Sequence, residues 1–318
     1  MIGTGSVTEV KSGPGFYKSE DSELCGVYNR NIEKAKDWVN RHGIKKVYSS
    51  VEEMLKDDID AVYIATPPNV HKKYAIMCIE AGKIPYIEKP MALDYNECVD
   101  ILEKSKKYNI PVYTAFYRRG LEKYLKIKEL LDQEVLGKVR YAEVRQIMKP
   151  EASDFLKENQ AWRVKKEVTG GGKFIDMGVH VLDILDYFFG HIVETKGVAK
   201  NLGGLYDVED TVSASFVFEN GVVGNGMWCY VADHEEEYIK IVGDKGYMIF
   251  EGLGYGDVSI YKDDQVETLK FIAPEHVAQP YIQMVVREIL GVEKSTANIL
   301  SSANVTKVTD EVLAEFKK

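Results

Sequence analysis

Three polar residues late in the chain have a spacing that suits proton chemistry. Asp176, His180 and Asp183 recur at i, i+4 and i+7 within "WRVKKEVTGGGKFIDMGVHVLDIL", residues 162–185. That spacing puts them on one face of a helix. Their neighbours Phe174, Ile175, Val179, Leu182 and Leu185 are apolar, so the polar strip is directed into a pocket. An imidazole titrates near neutrality and takes or gives a proton at physiological pH. A neighbouring carboxylate orients the ring and favours its charged form. The same residues admit two other readings: a hydrogen-bonded core histidine beside a helix-surface aspartate, and an Asp/His/Asp metal site. No further His or Cys cluster supports a metal, and none is expected.

A second candidate is Lys89 in "YIEKPMA", residues 86–92. Most lysines are simply solvated. This one ends a buried strand and is fixed by Pro90, and its ammonium can hydrogen-bond and polarise a substrate oxygen. A third stretch, "ATPPNVHKKYA" (65–75), closes a strand and opens a helix. Pro67 and Pro68 stiffen that turn and Asn69 is placed to cap the helix. His71 faces either a cofactor or solvent.

The chain opens on "MIGTGSVTEV". Gly3-Thr4-Gly5-Ser6-Val7 has the form of a phosphate turn, in which glycines let backbone N–H groups approach a pyrophosphate. Thr8 stands at the third glycine position. An acidic ribose ligand would sit about 20 residues further on. There the strand "LCGVY" ends in Asn29 and Arg30 instead. A neutral Asn followed by Arg accommodates a 2′-phosphate, so NADP(H) is the preferred cofactor and NAD(H) a possible one. The alternative leaves Arg30 as a solvated surface residue.

The elements that must position these groups fall into two patterns. Up to about residue 118, strand-like and helix-like segments alternate, which predicts a doubly wound parallel sheet. "IDAVYIAT" is a continuous apolar run suited to a strand covered on both faces. Beyond it, "KVRYAEVRQIM", "DTVSASFVF", "GVVGNGMWCYV", "EEYIKIVG" and "DVSIYK" read as strands separated by hairpin turns. They predict an α+β domain with a large, mostly antiparallel open sheet. Met227, Trp228, Cys229 and Tyr230 fall on a sheet that few helices remain to cover. One face is therefore expected to be exposed unless a second subunit packs on it, giving a homodimer or a homotetramer. The expected boundaries are 1–118 for the nucleotide-binding domain and 119–297 for the substrate-binding and oligomerisation domain. A C-terminal helix, 298–318, is expected to pack back on the first.

At 318 residues, 45% hydrophobic and 29% charged, the composition is that of a globular protein. The formal net charge of −9 argues against nucleic-acid or anionic-membrane partners. No apolar run approaches the roughly 18 residues of a membrane span, and no secretory signal pattern is visible. The four cysteines (Cys25, Cys78, Cys98, Cys229) are scattered without a C-x-x-C, which suits reduced thiols in a cytoplasmic protein.

Together, "GTGSVT", "ATPPNVH", "EKP" and "WR…GGGKFIDMGVHVLD" resemble the glucose-fructose oxidoreductase / inositol dehydrogenase / rhizopine catabolism (Gfo/Idh/MocA) family across almost the whole chain. The resemblance implies an NAD(P)-dependent oxidoreductase. It would transfer a hydride at a hydroxyl or ketone carbon of a sugar, inositol or related polyol. Lys89 would bind the reacting oxygen, through a Lys89–Pro90 bond expected to be cis. His180 would be the general acid/base, with Asp176 setting it and helping to bind substrate. Gly3, Thr4, Gly5, Ser6, Val7, Asn29, Arg30, Thr66, Pro67, Asn69, His71, Glu88, Lys89, Trp162 and Arg163 would line the cofactor. The family carries a fuller first strand, so a stub strand and a weakened sheet centre are expected here. A non-catalytic dinucleotide-binding sensor or scaffold and a metal-dependent hydrolase remain as alternatives.

Overall fold

The computed structural model describes residues 1–156, 158 and 160–317. The chain forms two compact units: Met1–Leu121 with Pro274–Ser302, and Glu122–Ala273 with Ala303 onward.

The first unit runs α1 (Val7–Val10), α2 (Gly13–Lys18), β1 (Gly26–Val27), α3 (Ile32–His42), β2 (Lys46–Val47), α4 (Val51–Leu55), β3 (Ala61–Ile64), α5 (His71–Glu80), β4 (Ile84–Ile87), α6 (Tyr95–Tyr108) and β5 (Tyr113–Thr114). β1 pairs with β2, and β3 with β4 and then β5, all in parallel. Ile2 joins the two halves, bridging Tyr28 on one side and Ile64 on the other. The expected stub is therefore one residue wide, yet fully paired. Ile2 donates to Tyr63 O and accepts from Ala65 N, and Gly3 donates to Tyr28 O. The order β2-β1-Ile2-β3-β4-β5 is a doubly wound parallel sheet. Its helices start where the side chains dictate. Asn31 accepts the Glu33 and Lys34 N–H groups at the head of α3, and Asp94 accepts Glu97 N–H at the head of α6. Each removes an unpaired helix-end donor.

The second unit holds α7 (Glu122–Asp132), β6 (Val139–Ile147), α8 (Lys166–Thr169), α9 (Val179–Phe189), β7 (Ile192–Lys200), β8 (Thr211–Phe218), β9 (Val223–Cys229), β10 (Glu236–Gly243), β11 (Tyr247–Phe250), β12 (Val258–Lys262) and β13 (Gln265–Leu269). Its eight strands form one sheet ordered β13-β12-β11-β10-β6-β9-β8-β7. Every pair is antiparallel except β6–β9. In β8, Val212, Ala214, Phe216 and Phe218 are buried and Ser213 and Ser215 exposed, a strict period of two. The buried face carries the helix segment 174–189 on aromatic contacts. Phe174 meets Trp228 at 4.9 Å, Phe189 meets Phe218 at 5.2 Å and Phe188 meets Phe250 at 6.4 Å. Alternation also divides the expected quartet on β9. Trp228 and Tyr230 are fully buried, while Met227 and Cys229 lie on the less covered side.

The two helices that follow exchange the expected assignment. α10 (Gln279–Ile289), expected in the second domain, belongs to the first unit. Its Tyr281, Ile282 and Val285 pack into the core with Trp38, Tyr63 and Tyr86, and Tyr281 donates to Thr114 O at 3.1 Å. α11 (Ile299–Lys317) from Ala303 onward, expected on the first domain, belongs to the second unit. There Asn304 donates to Ile192 O at 3.2 Å, and Val312 lies against Gly197. Burying an amphipathic face decides where each helix goes, and periodicity alone does not say against which partner.

Candidate active site

In the first unit, the candidate cofactor residues gather at the carboxyl edge of the sheet. Gly3 has φ +97°, and a Cβ there would lie 2.4 Å from Ala65 O. Only glycine lets the turn approach β3 so closely. At Gly5 a Cβ would meet nothing within 4 Å, and Gly5 and Ser6 are exposed. Thr8, in place of a third glycine, is buried and donates to Gly5 O at 2.8 Å, closing the turn with its own side chain. Asn29 donates to Thr4 Oγ1 at 2.7 Å and accepts Asn31 N–H at 2.9 Å. Arg30 beside it is exposed and, among the described residues, enters no salt bridge. The buried Thr66 Oγ1 has no protein partner. An open glycine cradle, an orphaned hydroxyl and an exposed guanidinium at one sheet edge fit a dinucleotide.

Two residues at this edge do other work than expected. Asn69 caps nothing, because α5 starts at His71 with Val70 before it and no side-chain cap, and Asn69 is exposed within a 3₁₀ turn, Pro68–Val70. His71 points neither to solvent nor into an open site. It is fully buried, with Nδ1 2.9 Å from Pro90 O and Nε2 2.8 Å from Thr66 O. Burial pushes its pKa down to about 4, so the ring is neutral and its one N–H serves one carbonyl at a time. His71 thus spans the Thr66–Pro67 turn and the Lys89–Pro90 bond, which is cis. Glu88, before Lys89, accepts the Tyr63 hydroxyl at 2.5 Å, and Tyr63 also meets Ser12 Oγ at 2.7 Å.

In the second unit the triple glycine leads not into a regular helix but into a π turn, Phe174–Gly178, which carries Asp176. A π turn takes one residue more than an α turn and recurs at functional sites. Gly178 accommodates it: a Cβ there would sit 2.6 Å from the Phe174 ring. The α register resumes in α9 with His180, which is 8% exposed, and with Asp183, which is buried. Asp176 pairs with Arg163 at 3.0 Å, and the Arg163 guanidinium lies 4.6 Å over the Trp162 ring. Among the described residues, no three His, Cys, Asp or Glu side chains are grouped to hold a metal ion.

Several site residues carry no obvious sequence signal. Lys173 and Asp154 form a buried ion pair at 2.6 Å. Tyr230 donates to Gln146 Oε1 at 3.0 Å. Glu209 is 1% exposed and accepts Gly172 N–H at 2.7 Å. Burial raises its pKa to about 7. In the sequence "VEDT", an acidic pair before a strand reads as a solvated turn.

Residues 1–116 match the model of the "oxidoreductase family, NAD-binding Rossmann fold", and residues 124–249 match the "GFO/IDH/MocA C-terminal domain". An oxidoreductase of Formosa agariphila is 37% identical over 314 residues, 98% of this chain and 96% of that protein. The chain belongs to the Gfo/Idh/MocA oxidoreductase family. Within it, myo-inositol 2-dehydrogenase of Thermotoga maritima is 25% identical over 267 residues, 80% of this chain and 75% of that one. The fold also matches a solved levoglucosan dehydrogenase, complexed with NADH and levoglucosan, with a TM-score of 0.86 at 22% identity, covering 98% of this chain and 95% of that one. This Gfo/Idh/MocA chain is thus an oxidoreductase with an NAD(P)-binding Rossmann domain. Among its described residues, no helix is long and apolar enough to cross a membrane.

The His71 strut makes a prediction for this Gfo/Idh/MocA protein. Its folded pKa lies below the unfolded value, so its contribution is complete above about pH 6.5 and is lost as pH falls toward 4. Chemical denaturation of wild type and His71→Asn at pH 7 and pH 4.5 checks this. The wild type is expected to lose on the order of 2 kcal/mol more than the variant across that interval, at about 1.4 kcal/mol per pKa unit. Equal losses contradict a neutral buried ring.

Proposed function

We propose that this chain transfers a hydride between a nicotinamide nucleotide and a hydroxyl or ketone carbon of a sugar, inositol or related polyol, with NADP(H) preferred. The observation that carries the reading is the joint presence of Lys89, Asp176 and His180 in a chain that matches both family domains. The printed activities of the inositol and levoglucosan dehydrogenases support the substrate class. When bound, a nicotinamide nucleotide would supply the hydride carrier. Gly3 to Val7 would hold its phosphates through backbone N–H groups, and Asn29 and Arg30 would receive the ribose and a 2′-phosphate. In the oxidising direction His180 takes the hydroxyl proton, and the Lys89 ammonium stabilises negative charge developing on substrate oxygen. Asp176, held by Arg163, bonds a neighbouring substrate hydroxyl and favours the protonated imidazole.

A panel of sugars, inositols and keto-sugars, followed by nicotinamide absorbance with each cofactor, tests the reading. On the substrate so found, His180→Ala and Lys89→Ala are each expected to lower kcat by about 10²–10⁴-fold, the usual range for a general acid–base group. Nucleotide binding should be almost unchanged. Near-normal turnover in both variants contradicts the roles.

Cofactor choice is read by titration. Arg30→Ala should weaken NADPH binding by about tenfold to a hundredfold and leave NADH binding unchanged, because a hydrogen bond to a charged group contributes about 1.5–3 kcal/mol. Tighter NADH binding by the wild type overturns the preference.

The less covered sheet face supports a dimer. Tyr141 and Val223, paired across β6 and β9, are 36% and 49% exposed. We expect sedimentation at micromolar concentration to give a dimer or a tetramer, and Val223→Asp to shift it toward monomer. A monomeric wild type rejects the assembly.

A further inference from the structure

We propose that Glu209 is the positioning residue for Asp176 and His180, holding the Gly170–Gly172 turn from which their helix springs. The inference rests on the catalytic roles proposed above, but its geometry stands independently. Glu209 Oε1 accepts the Gly172 N–H at 2.7 Å, and the Gly172 carbonyl in turn accepts the N–H groups of Ile175 and Asp176 at 3.1 and 3.4 Å. One residue, Gly172, therefore links the carboxyl to the backbone of Asp176. The fit is tight on both sides. A Cβ at Gly172 would lie 2.3 Å from Glu209 O, and one at Gly171 would lie 3.2 Å from both carboxyl oxygens. On the far flank, Thr169 donates to Gly171 O at 2.5 Å. The turn has no side chains of its own with which to hold a shape, so the buried carboxyl and Thr169 set it.

A buried carboxyl in this position couples the turn to pH. The groups facing it are Asp210 beside it, Lys317 from α11, and the buried Tyr206 and Tyr230. Burial raises its pKa to about 7 and Asp210 adds to the rise, outweighing the Gly172 and Glu209 N–H bonds and Lys317, which lower it. The carboxyl binds its proton more tightly in the closed turn than when opened to water, so closure is firmest at low pH and weakens as pH rises through 7.

Hydrogen–deuterium exchange over residues 172–180, corrected for intrinsic rates, reads this without any substrate. Wild-type protection is expected to fall about tenfold from pH 6 to pH 8, by the linkage between the two pKa values. Glu209→Gln keeps an acceptor for Gly172 and should remain protected at both pH values. Glu209→Ala removes it and should exchange at least about tenfold faster at pH 6, the loss of one hydrogen bond from a buried donor. On the substrate found by the panel, wild-type kcat/KM should fall above pH 7, and Glu209→Gln should extend the plateau to higher pH. If wild type and Glu209→Gln share one pH dependence of exchange, Glu209 is not the positioning group, whatever the catalytic assay gives. If exchange behaves as expected but His180→Ala retains turnover, the catalytic reading fails and the turn's anchor stands. Should Glu209→Ala not fold, the comparison of wild type with Glu209→Gln decides alone.

Discussion

Beside the candidate residues of each compact unit, a carbonyl oxygen occupies the space where a side chain would begin. At Gly3 it belongs to Ala65, 2.4 Å from the Cβ position, and at Gly172 to Glu209, 2.3 Å away. Side chains do not tolerate such distances, so both approaches require glycine. The first lets the residue after Ile2 turn over the end of β3, with Thr4 beside Asn29 and the next glycine open to solvent. The second seats the triple-glycine turn on a buried carboxyl and launches the π turn with Asp176 and then His180. The candidate chemistry in each unit follows from a backbone contact, and the polar side chains are placed by it.

The placements also govern which charges are kept. His71, fully buried between two carbonyls, is neutral at physiological pH because burial disfavours its charged form. Lys173 is also buried but is paired with Asp154; removing one member of a buried pair would leave an uncompensated charge. Asp176 is paired with an Arg163 that is itself partly exposed and laid on Trp162. The buried polar groups near the candidate residues are thus neutral, paired or hydrogen-bonded to backbone. That arrangement limits side-chain wandering around the candidate residues.

Much of this was legible in the sequence, and the parts that were not share a cause. The alternation of "DTVSASFVF" gave β8 and its buried face, because period-two burial is a local property. The "GGGKFIDMGVH" stretch announced Asp176 and His180, although the π turn at 174–178 was hidden, since nothing in a helical pattern marks one extra residue. The roles of Asn69, His71 and Glu209 depend on what lies across from them: two carbonyls for His71, the Gly172 N–H for Glu209, and solvent for Asn69. The exchange of α10 and α11 between units is likewise a matter of which core receives an amphipathic face. Long-range partners leave no periodicity behind.

The central claim is hydride transfer to a polyol carbon, and isotopic labelling tests it most directly. Reduced nicotinamide nucleotide deuterated at C4 would be incubated with the protein and each keto-sugar or keto-inositol of the panel, and the products examined by mass spectrometry and NMR. The account predicts one deuteron on the new carbinol carbon of at least one product, from one face of the nicotinamide only, and none there when the label is supplied as deuterated water. Product labelled from water at that carbon, or oxidation of the nucleotide with no label in any product, would contradict it.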